Sequence, residues 1–488
     1  MRIVSGLLLF FFLAYGAVPP EVAGLELKKE AGALTYEGAG TRIVYVPGVG
    51  WAPPLPPGLP PPEKGGALSP EVLRAAGVWD AKKPVVRLRY AAYPERLRLV
   101  FDLGRPLAFS RQIQDRPPFF LRLPLYPDRY PDLPGLSFRT SPAGTDLVFT
   151  PEPGRVGFLH AFALADPPRL VVDLYAREPE WSRTLAPGIR LRMRYAPVPY
   201  PLKLILVEAD PGRFRLVPVG KPGQRRPLGA MAPKALALLN GGYFDPKTAA
   251  PIGLWVVDGV TLSYPYGRSA LVWDGGRVDA VIPRFSAWVE LSGRRYPVGL
   301  AATPARYTVY TAPGEVGRPG EAVLVVEEGR VVARRDAPYA LAAGRWALAY
   351  PKGALPFSAV PLGTELRLRV RLVPPVRYAL EAGPLLVRRG APAYRPERER
   401  FAKNAIPLTK VTYQAAVAWT QDGGLWLVVS EKTTPGVLAR GLAELGAWGA
   451  IRMDSGGSAQ LWARGELVYP KRAREVVNGL ALYSALGQ

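Results

Sequence analysis

The sequence predicts a multidomain chain in which small β-rich units at the N-terminus precede a larger domain of mixed α+β structure. At 488 residues, the chain has room for about three domains, each with its own core. The first part alternates apolar and polar residues with the period of half-buried strands. Strands continue further along, where they are joined by a helix with clear start and stop signals. We expect the units 1–17, 18–80, 81–180 and 181–488.

Residues 1–17 have the pattern of a secretory signal peptide. Arg2 supplies one positive charge, a short apolar stretch follows, and Ala14 and Gly16 provide small residues near a cleavage point. The apolar stretch is too short to span a bilayer comfortably, although a retained N-terminal anchor is the alternative. The chain has no cysteine, which excludes a lipoprotein anchor, disulfides and thiolate metal sites. We expect export to the periplasm or cell envelope, or secretion.

Residues 18–80 predict a small β unit followed by a stiff spacer. Residues 25–46 alternate around glycines as in a β-hairpin, and 51–62 are rich in proline, which favours an extended polyproline conformation. Ser69 and Pro70 then form the start signal of a short helix.

Residues 81–180 predict a β-sandwich. The segments 85–90, 96–103 and 169–175 alternate at period two. This pattern resembles AMIN-type domains, small β-sandwiches that target envelope enzymes to the wall. The resemblance implies a cell-wall polymer as a partner of this region. A generic β-sandwich that only packs on its neighbour is the alternative.

The net charge of +23 raises the question of an anionic partner. The basic residues are scattered, and the sequence has no helix-turn-helix or RNA-binding aromatic motif, so we expect no nucleic-acid partner. An acidic envelope polymer and a merely solvated surface are equally compatible with the charge. The 55 prolines and the many arginines are typical of heat-adapted proteins.

Within residues 181–488, local sequence signals predict a helix and a hairpin. Thr434 and Pro435 begin a predicted helix, which Gly446 ends. Segments 415–420 and 425–430 flank a glycine turn and predict a hairpin.

Two apolar strands in this domain end in glycine pairs next to a carboxylate. Residues 450–453 lead to Asp454-Ser455-Gly456-Gly457-Ser458, and residues 235–239 lead to Asn240-Gly241-Gly242-Tyr243-Phe244-Asp245. Glycine-rich loops expose backbone N–H groups that bind anions. We expect both strands to end at the same edge of one sheet, with Asp245 and Asp454 in one pocket and both glycine pairs on its anion-binding side.

These motifs also carry a family resemblance. Together with Ala382-Gly383-Pro384-Leu385-Leu386-Val387 and Gly390, they resemble the phosphodiester glycosidase family over roughly residues 185–488. The resemblance continues through Asp258-Gly259 and through Arg474, Asn478 and Leu480. It implies hydrolysis of a sugar-1-phosphodiester in an envelope polysaccharide or glycolipid, with an anionic carbohydrate or sugar phosphate as substrate. Tyr243 would then form a sugar-facing wall.

The catalytic candidates are carboxylates. His160 is the single histidine and falls in the predicted sandwich, which excludes a Ser–His hydrolase or a multi-histidine metal centre in the C-terminal domain. Asp245 and Asp454 are the first candidates for base or nucleophile, and Glu381 is the third. The alternatives are a turn cap for Asp245, a loop-closing hydrogen bond for Asp454 and a solvated strand end for Glu381.

The candidate substrate-binding residues come from the same loops and from the family pattern. They are Asn240, Gly241, Gly242, Tyr243, Gly383, Arg452, Gly456, Gly457, Ser458, Arg474 and Asn478. Arg452 lies two residues before Asp454 on a strand, so both side chains project from one face and either bracket a ligand or form a surface ion pair. Gln414 stands where the family usually has arginine, so a phosphate contact is either lost or transferred to Lys410 or Arg452.

The expected reaction requires no cofactor. Asn240, Asp245 and Asp454 offer oxygen ligands of the kind that Ca²⁺ or Mg²⁺ prefers, but there is no dense Asp-x-Asp loop, so metal binding stays open. Two other functions also stay open. One is a non-catalytic module that binds anionic wall or capsule polymer, and the other is a sugar transferase in exopolysaccharide assembly.

Overall fold

The computed structural model describes residues 17–485, except 39–40, 53–54, 57, 81, 198, 275–276, 302–303, 312–313, 343, 374, 402–407 and 409. The predicted signal peptide therefore lies outside the described residues, apart from its last position. None of the described helices is long and apolar enough to cross a membrane. The chain divides into two compact units, one up to Pro179 and one from Glu180. The predicted β-rich multidomain architecture is confirmed.

The described residues of the first unit form thirteen strands and one short α-helix, α1 (Pro70–Ala75). The strands are β1 (Glu26–Glu30), β2 (Ala33–Gly38), β3 (Thr41–Val46), β4 (Gly50–Trp51), β5 (Val85–Tyr93), β6 (Arg96–Asp102), β7 (Gln112–Gln114), β8 (Phe119–Leu123), β9 (Tyr126–Pro127), β10 (Leu136–Ser141), β11 (Gly144–Phe149), β12 (Val156–Ala165) and β13 (Pro168–Arg177).

Three sheets build this unit. They are a four-stranded meander β1-β2-β3-β4, a three-stranded sheet β10-β11-β8 and a six-stranded sheet β7-β12-β13-β6-β5-β9. Leu99, Phe101, Leu121 and Val172 are buried in one cluster formed by the three-stranded and six-stranded sheets, which is what strands of period two predict. The hairpin predicted at 25–46, the strands at 85–90, 96–103 and 169–175, and the helix after Ser69 are confirmed. The AMIN-like assignment and its wall partner stay predictions.

The second unit begins with strands β14 to β22 and a short helix, α2 (Leu228–Met231). The strands are β14 (Trp181–Ala186), β15 (Ile189–Ala196), β16 (Leu202–Ala209), β17 (Phe214–Gly220), β18 (Ala237–Asn240), β19 (Trp255–Val257), β20 (Val260–Ser263), β21 (Ala270–Trp273) and β22 (Val278–Val281).

A separate group of strands, here called the inserted β segment, occupies residues 284–373 between β22 and the next strand of the main sheets. Among the residues that the structure describes, its strands pair only with one another. They are β23 (Arg284–Leu291), β24 (Arg294–Pro297), β25 (Gly299–Leu300), β26 (Thr308–Tyr310), β27 (Gly314–Val316), β28 (Glu321–Glu327), β29 (Arg330–Asp336), β30 (Tyr339–Leu341), β31 (Trp346–Pro351) and β32 (Leu366–Val373).

The remaining strands return to the main sheets, and the longest described helix, α3 (Pro435–Glu444), lies among them. The strands are β33 (Tyr378–Glu381), β34 (Leu385–Arg388), β35 (Ala391–Pro392), β36 (Thr412–Trp419), β37 (Leu425–Thr433), β38 (Gly449–Arg452), β39 (Leu461–Ala463), β40 (Glu466–Tyr469) and β41 (Asn478–Ser484).

Three main sheets organise this unit. The eight-stranded sheet has the order β14-β15-β16-β37-β36-β38-β34-β35, and two five-stranded sheets have the orders β17-β41-β18-β39-β40 and β20-β19-β33-β21-β22. The predicted hairpin is confirmed as β36 and β37, which pair in antiparallel register. Strands β18, β33 and β38 therefore come from three different sheets, and the motif loops follow their ends.

Helix α3 packs on the eight-stranded sheet through the face that its leucine spacing predicts. Leu438 and Leu442 are fully buried against Trp426 and Ala450 of that sheet, whereas Leu445 is only half-buried at the helix end. Gly446 has φ +94, as expected of a glycine that ends a helix. Thr434 stands at the N-cap position but makes no side-chain capping hydrogen bond.

Replacing Leu438 by alanine should leave a cavity between α3 and the sheet that supports Asp454. We expect a loss of about 2–5 kcal/mol of unfolding free energy, as for other buried leucines. Calorimetric unfolding of the full chain measures it, with Leu445→Ala as a matched variant. Equal effects of the two variants would contradict the packing described here.

Candidate active site

The two motif loops meet, although they come from different sheets. Strand β18 lies in a five-stranded sheet and β38 in the eight-stranded sheet, so the prediction that both end at one edge of one sheet is wrong. The Asp454 N–H nevertheless donates to the Gly241 carbonyl at 2.9 Å. The Asn240 side-chain amide donates to the Asp454 carbonyl at 2.6 Å. The backbones of the two loops are thus joined directly.

Asn478, at the start of β41, holds the other side of the first loop. Its carbonyl accepts from the Gly241 N–H at 3.0 Å, and its side-chain oxygen accepts from the Gly242 N–H at 2.8 Å. The prediction that this glycine pair offers free amides to an anion is therefore wrong. A Cβ on Gly241 would overlap the Asn478 side-chain oxygen, and one on Gly242 would overlap the Glu381 carbonyl. The glycines allow this close packing, and Asn240 and Asn478 are buried structural residues.

Asp454 is a nearly buried carboxylate at the tip of β38. Its residue exposure is 8%, and its Oδ1 accepts from the Ser455 N–H at 2.9 Å. Its Oδ2 lies 3.5 Å from Nη2 of Arg474. Burial raises the pKa of Asp454, and the hydrogen bond from Ser458 and the charges of Arg474 and Arg452 offset this rise in part. One carboxylate oxygen is therefore fixed by the loop, and the other faces a guanidinium group.

Arg474 is positioned beside Asp454 but stays open to solvent. Its side chain is 48% exposed. Its Nε donates to Ser458 Oγ at 2.8 Å, and its Nη2 also contacts this oxygen. The guanidinium carbon lies 5.3 Å from the centre of the Phe244 ring, a cation–π distance. Because Arg474 is fixed on two sides and hydrated on the rest, it can take up a phosphate without large rearrangement.

The second glycine pair borders the same guanidinium. A Cβ on Gly457 would lie 3.6 Å from Cδ of Arg474, and Gly456 has φ +68, a conformation that favours glycine. Gly456–Ser458 form a 3-10 turn. The first amides of such a turn have no partner within it. This loop, and not Gly241–Gly242, fits the predicted anion-binding role.

Arg452 lies beneath the site as a buried cation. It has no exposed surface. Its Nε donates to the Gln414 side-chain oxygen at 2.8 Å, and its Nη1 donates to the Tyr243 hydroxyl. Gln414 is itself anchored by hydrogen bonds to the Thr412 and Thr433 carbonyls. The glutamine is thus the partner that orients Arg452, whereas Lys410 is exposed to solvent.

Tyr243 is buried in this arrangement and does not form an exposed wall. Its exposure is 9%, its hydroxyl donates to the Gly383 carbonyl at 2.8 Å, and burial raises its pKa. The prediction of a sugar-facing Tyr243 is therefore wrong for the described conformation. Tyr243 instead connects the Gly383 loop to Arg452.

Arg268 is a site residue that the sequence reasoning missed. Its guanidinium carbon lies 5.1 Å from the Tyr243 ring centre, 4.8 Å from that of Tyr266 and 4.1 Å from that of Phe401. It forms no salt bridge with a described acidic side chain. Its signal in the sequence is weak, because an arginine in the Tyr-Gly-Arg run before β21 is indistinguishable from the many surface arginines.

The other two carboxylate candidates do not contact Asp454 in the described part of the chain. Asp245 Oδ1 accepts from the N–H groups of Lys247 and Thr248 at 2.7 and 3.1 Å, which is the turn-cap arrangement. Glu381 is 1% exposed. It accepts backbone N–H groups from Leu254, Tyr266 and Arg268, so it is a buried anchor for three loops and not a solvated strand end.

No group of three or more histidine, cysteine or acidic side chains suited to a metal ion occurs among the residues that the structure describes. Of the oxygen ligands considered above, the Asn240 side chain is fully used by hydrogen bonds. Both polar atoms of the Asn240 side chain are used, one by the Asp454 carbonyl and one by the Gln460 N–H.

Part of the second unit is similar to a known protein family. Residues 305–483 match the family model for phosphodiester glycosidase. The match includes Asp454, Arg474 and Asn478 and begins after the Asn240–Asp245 loop. This phosphodiester glycosidase-like region thus covers part of the second unit, including Asp454 and Arg474 of the candidate site.

Comparison with curated proteins finds no match. A crystal structure of a hypothetical protein from Synechocystis is similar, with 20% sequence identity and a TM-score of 0.54, and covers 95% of this chain and 92% of that chain. This likeness shows a shared fold. The zebrafish N-acetylglucosamine-1-phosphodiester alpha-N-acetylglucosaminidase catalytic domain, auto-inhibited by its pro-peptide, is a more distant neighbour, with 14% identity, a TM-score of 0.33, and coverage of 78% of this chain and 91% of that chain.

The two aspartates should respond oppositely to pH when each is replaced by asparagine. Burial raises the pKa of Asp454, so its contribution to stability is present at low pH and is lost as pH rises through the folded-state pKa. Backbone hydrogen bonds from Lys247 and Thr248 lower the pKa of Asp245, so its contribution is present at neutral pH and is lost as pH falls.

We therefore expect Asp454→Asn to raise the melting temperature at neutral pH and Asp245→Asn to lower it. The Asp454 difference should shrink as pH falls towards the unfolded-state pKa of about 3.9, and the Asp245 difference should shrink only at lower pH, through the lowered folded-state pKa of Asp245. Thermal unfolding across this pH range is the measurement. A destabilised Asp454→Asn variant at neutral pH would show that the carboxylate is stabilised by its partners more than it is penalised by burial.

Proposed function

We propose that the second unit is a hydrolase that cleaves a sugar-1-phosphodiester linkage. The observation that carries the proposal is the arrangement at Asp454. A nearly buried carboxylate lies 3.5 Å from a half-exposed guanidinium, and Ser458 bridges the two. The phosphodiester glycosidase match over residues 305–483 supports the same chemistry.

The charge distribution suits a substrate that joins a sugar to a phosphate. Arginine binds phosphate through paired hydrogen bonds, and the exposed face of Arg474 is free to do so beside the Gly456–Gly457 loop. The departing phosphate monoester is already a stable anion, so strong acid assistance is less necessary than in ordinary glycosidases. A site with one carboxylate among several guanidinium groups is therefore chemically sufficient.

Asp454 is the proposed base or nucleophile. Its Oδ1 is fixed by the Ser455 amide, which leaves Oδ2 to face the reacting centre next to Arg474. Burial raises its pKa, which favours proton uptake from an attacking water. A carboxylate there also stabilises the positive charge that develops on the sugar ring during cleavage.

Arg452 supplies the cation that the family pattern usually places at position 414. The register pairs Ala416 of β36 with Arg452 of β38, so positions 414 and 452 are diagonal neighbours on adjacent strands. The guanidinium thus lies on the strand next to the position of the family pattern, and Gln414 holds it by a hydrogen bond. We propose that this exchange preserves the positive charge beneath Asp454, and with it activity.

We also propose that the protein is exported and acts on a substrate of the cell envelope. Both points are supported by the N-terminal sequence pattern, the absence of cysteine and the net charge of +23. A polysaccharide or glycolipid with sugar-1-phosphodiester linkages is the proposed substrate class. The proposed reaction uses side chains alone, so activity should persist after treatment with EDTA, and its loss and recovery with added Ca²⁺ or Mg²⁺ would overturn that part of the proposal.

Asp454→Asn should abolish turnover of a chromogenic sugar-1-phosphodiester while the protein stays folded. Removal of a general base costs about 10²–10⁴-fold in kcat, and the amide keeps the side-chain volume. Arg474→Lys keeps the charge but loses paired hydrogen bonding, so it should raise KM more than it lowers kcat. Steady-state kinetics and circular dichroism of each variant are the measurements.

Asp245→Asn is the matched control, because it removes a carboxylate from the neighbouring turn. We expect it to retain most of the activity on this small substrate. Loss of turnover in Asp245→Asn equal to that in Asp454→Asn would restore the two-aspartate mechanism. Absence of release from any sugar phosphodiester by folded wild-type protein would refute hydrolysis, and transfer to an added carbohydrate acceptor would identify a transferase.

A further inference from the structure

The loop 243–253 contributes to two different places in the molecule. Its first residues, Tyr243 and Phe244, contact Arg452 and Arg474 at the candidate active site. Its later residues, including Asp245, Thr248 and Gly253, line a cleft with a volume of about 640 Å³. This volume is within the range of small-molecule binding sites. One loop therefore contributes residues both to the cleft and to the candidate active site.

The inserted β segment forms the opposite wall of this cleft. Leu300, Tyr310 and Glu315 from that segment line the cleft together with residues 262–266, at the end of β20 and just after it. The segment pairs its strands internally and takes no part in the main sheets. The inserted β segment therefore contributes side chains to the cleft without being part of the main sheets.

The chemistry of the cleft differs from that of the rest of the chain. Three tyrosines, Tyr264, Tyr266 and Tyr310, line it together with the carboxylates Asp245 and Glu315. Its described lining residues include no lysine or arginine, although the chain carries a net charge of +23. Such a cleft disfavours an anion and suits a neutral ligand with many hydroxyl groups.

The two carboxylates are available to accept hydrogen bonds from a ligand. Asp245 uses Oδ1 for its own turn, and the Thr248 side chain is a further hydrogen-bond partner of this carboxylate. An ionised carboxylate has about four lone-pair sites, so acceptor capacity remains for a ligand. Glu315 is exposed and forms no salt bridge with a described cation. Hydroxyl groups of a sugar are donors of the type that such oxygens accept.

A line of aromatic and guanidinium groups connects the cleft to the candidate active site. Tyr266 is 39% exposed in the cleft, and the Arg268 guanidinium carbon lies 4.8 Å from its ring centre. The same guanidinium lies 5.1 Å from the ring centre of Tyr243, which contacts Arg452. These contacts join the cleft wall at Tyr266 to the buried network of Tyr243 and Arg452 beneath the candidate active site.

We propose that this cleft binds a neutral oligosaccharide segment of the substrate, away from the bond that is cleaved. Tyr266 and Tyr310 would pack against the C–H faces of sugar rings, and Asp245 and Glu315 would accept hydrogen bonds from hydroxyl groups. The inference rests on the proposed function for its biological meaning. It makes the enzyme one that acts on a glycan chain, and it assigns to Asp245 a role in binding.

Isothermal titration of the full chain with chito- and malto-oligosaccharides tests the proposal, with a sulfated oligosaccharide as the charged comparator. We expect Tyr266→Ala to weaken binding of a neutral oligosaccharide by about tenfold, because a ring contact is lost, and Glu315→Gln to weaken it by about threefold to tenfold through a lost charged acceptor. Binding of the sulfated comparator should be unchanged in both variants.

Matched controls are available on the same chain. Tyr93 is 49% exposed and carries Arg96 at 4.5 Å from its ring centre, so Tyr93→Ala removes a similar exposed pair in the first unit. Glu328→Gln removes an exposed carboxylate of the inserted β segment outside the cleft. Neither control should alter binding.

The outcomes separate this inference from the proposed function. In one outcome, Asp454→Asn binds the neutral oligosaccharide normally, and neither this variant nor the wild type hydrolyses a phosphodiester. This result would support the oligosaccharide site in the cleft and refute the hydrolase proposal. If the wild type hydrolyses a small phosphodiester but binds no neutral oligosaccharide, the cleft proposal is overturned. Equal weakening by the cleft variants and their controls would also overturn it.

Discussion

The candidate site depends on a buried hydrogen-bond network that joins strand ends from two sheets. Strands β18 and β38 do not pair in a sheet, so the loops that follow them are joined by a backbone hydrogen bond from Asp454 to Gly241 and by side-chain amides. Asn240 uses its amide nitrogen for the Asp454 carbonyl and its oxygen for the Gln460 N–H. Gln460 in turn donates to the carbonyl of Arg474 at 2.9 Å. One network therefore sets the backbone positions of both Asp454 and Arg474, and because it is buried, leaving any member unpaired is costly.

The charged side chains of the site differ in how far they are buried, and this difference determines which of them can bind a ligand. Asp454 and Arg452 are removed from water, whereas Arg474 keeps about half of its surface. An ion pair with one exposed partner contributes little to stability, so Arg474 can exchange part of its interaction with Asp454 for a ligand phosphate at small cost. Arg452 cannot do this, because Gln414 and Tyr243 hold it below the surface. The charge of buried Arg452 lowers the pKa of Asp454. The exposed guanidinium of Arg474 is in a position to bind the substrate.

Local sequence signals predict the individual strands and helices well, but they predict contacts between distant segments of the chain less well. The strands β5, β6 and β13, the hairpin β36–β37 and helix α3 follow from periodicity and turn residues, which are properties of neighbouring residues. Periodicity does not show which sheet a strand joins, so β18 and β38 were wrongly assigned to one edge. Nor does it show that the amides of Gly241 and Gly242 are used by Asn478, that Glu381 is buried among backbone donors, or that Arg268 lies among three rings. Each of these depends on contacts between segments far apart in the chain.

The most direct test of this account is a crystal structure of the Asp454→Asn variant with an uncleaved sugar-1-phosphodiester bound. The account predicts phosphate oxygens at about 3 Å from the Arg474 guanidinium, beside Gly456 and Gly457, with the anomeric carbon of the sugar facing residue 454. A phosphate bound instead in the cavity lined by Arg388, Arg395 and Arg398, with no ligand density at Arg474, would contradict it.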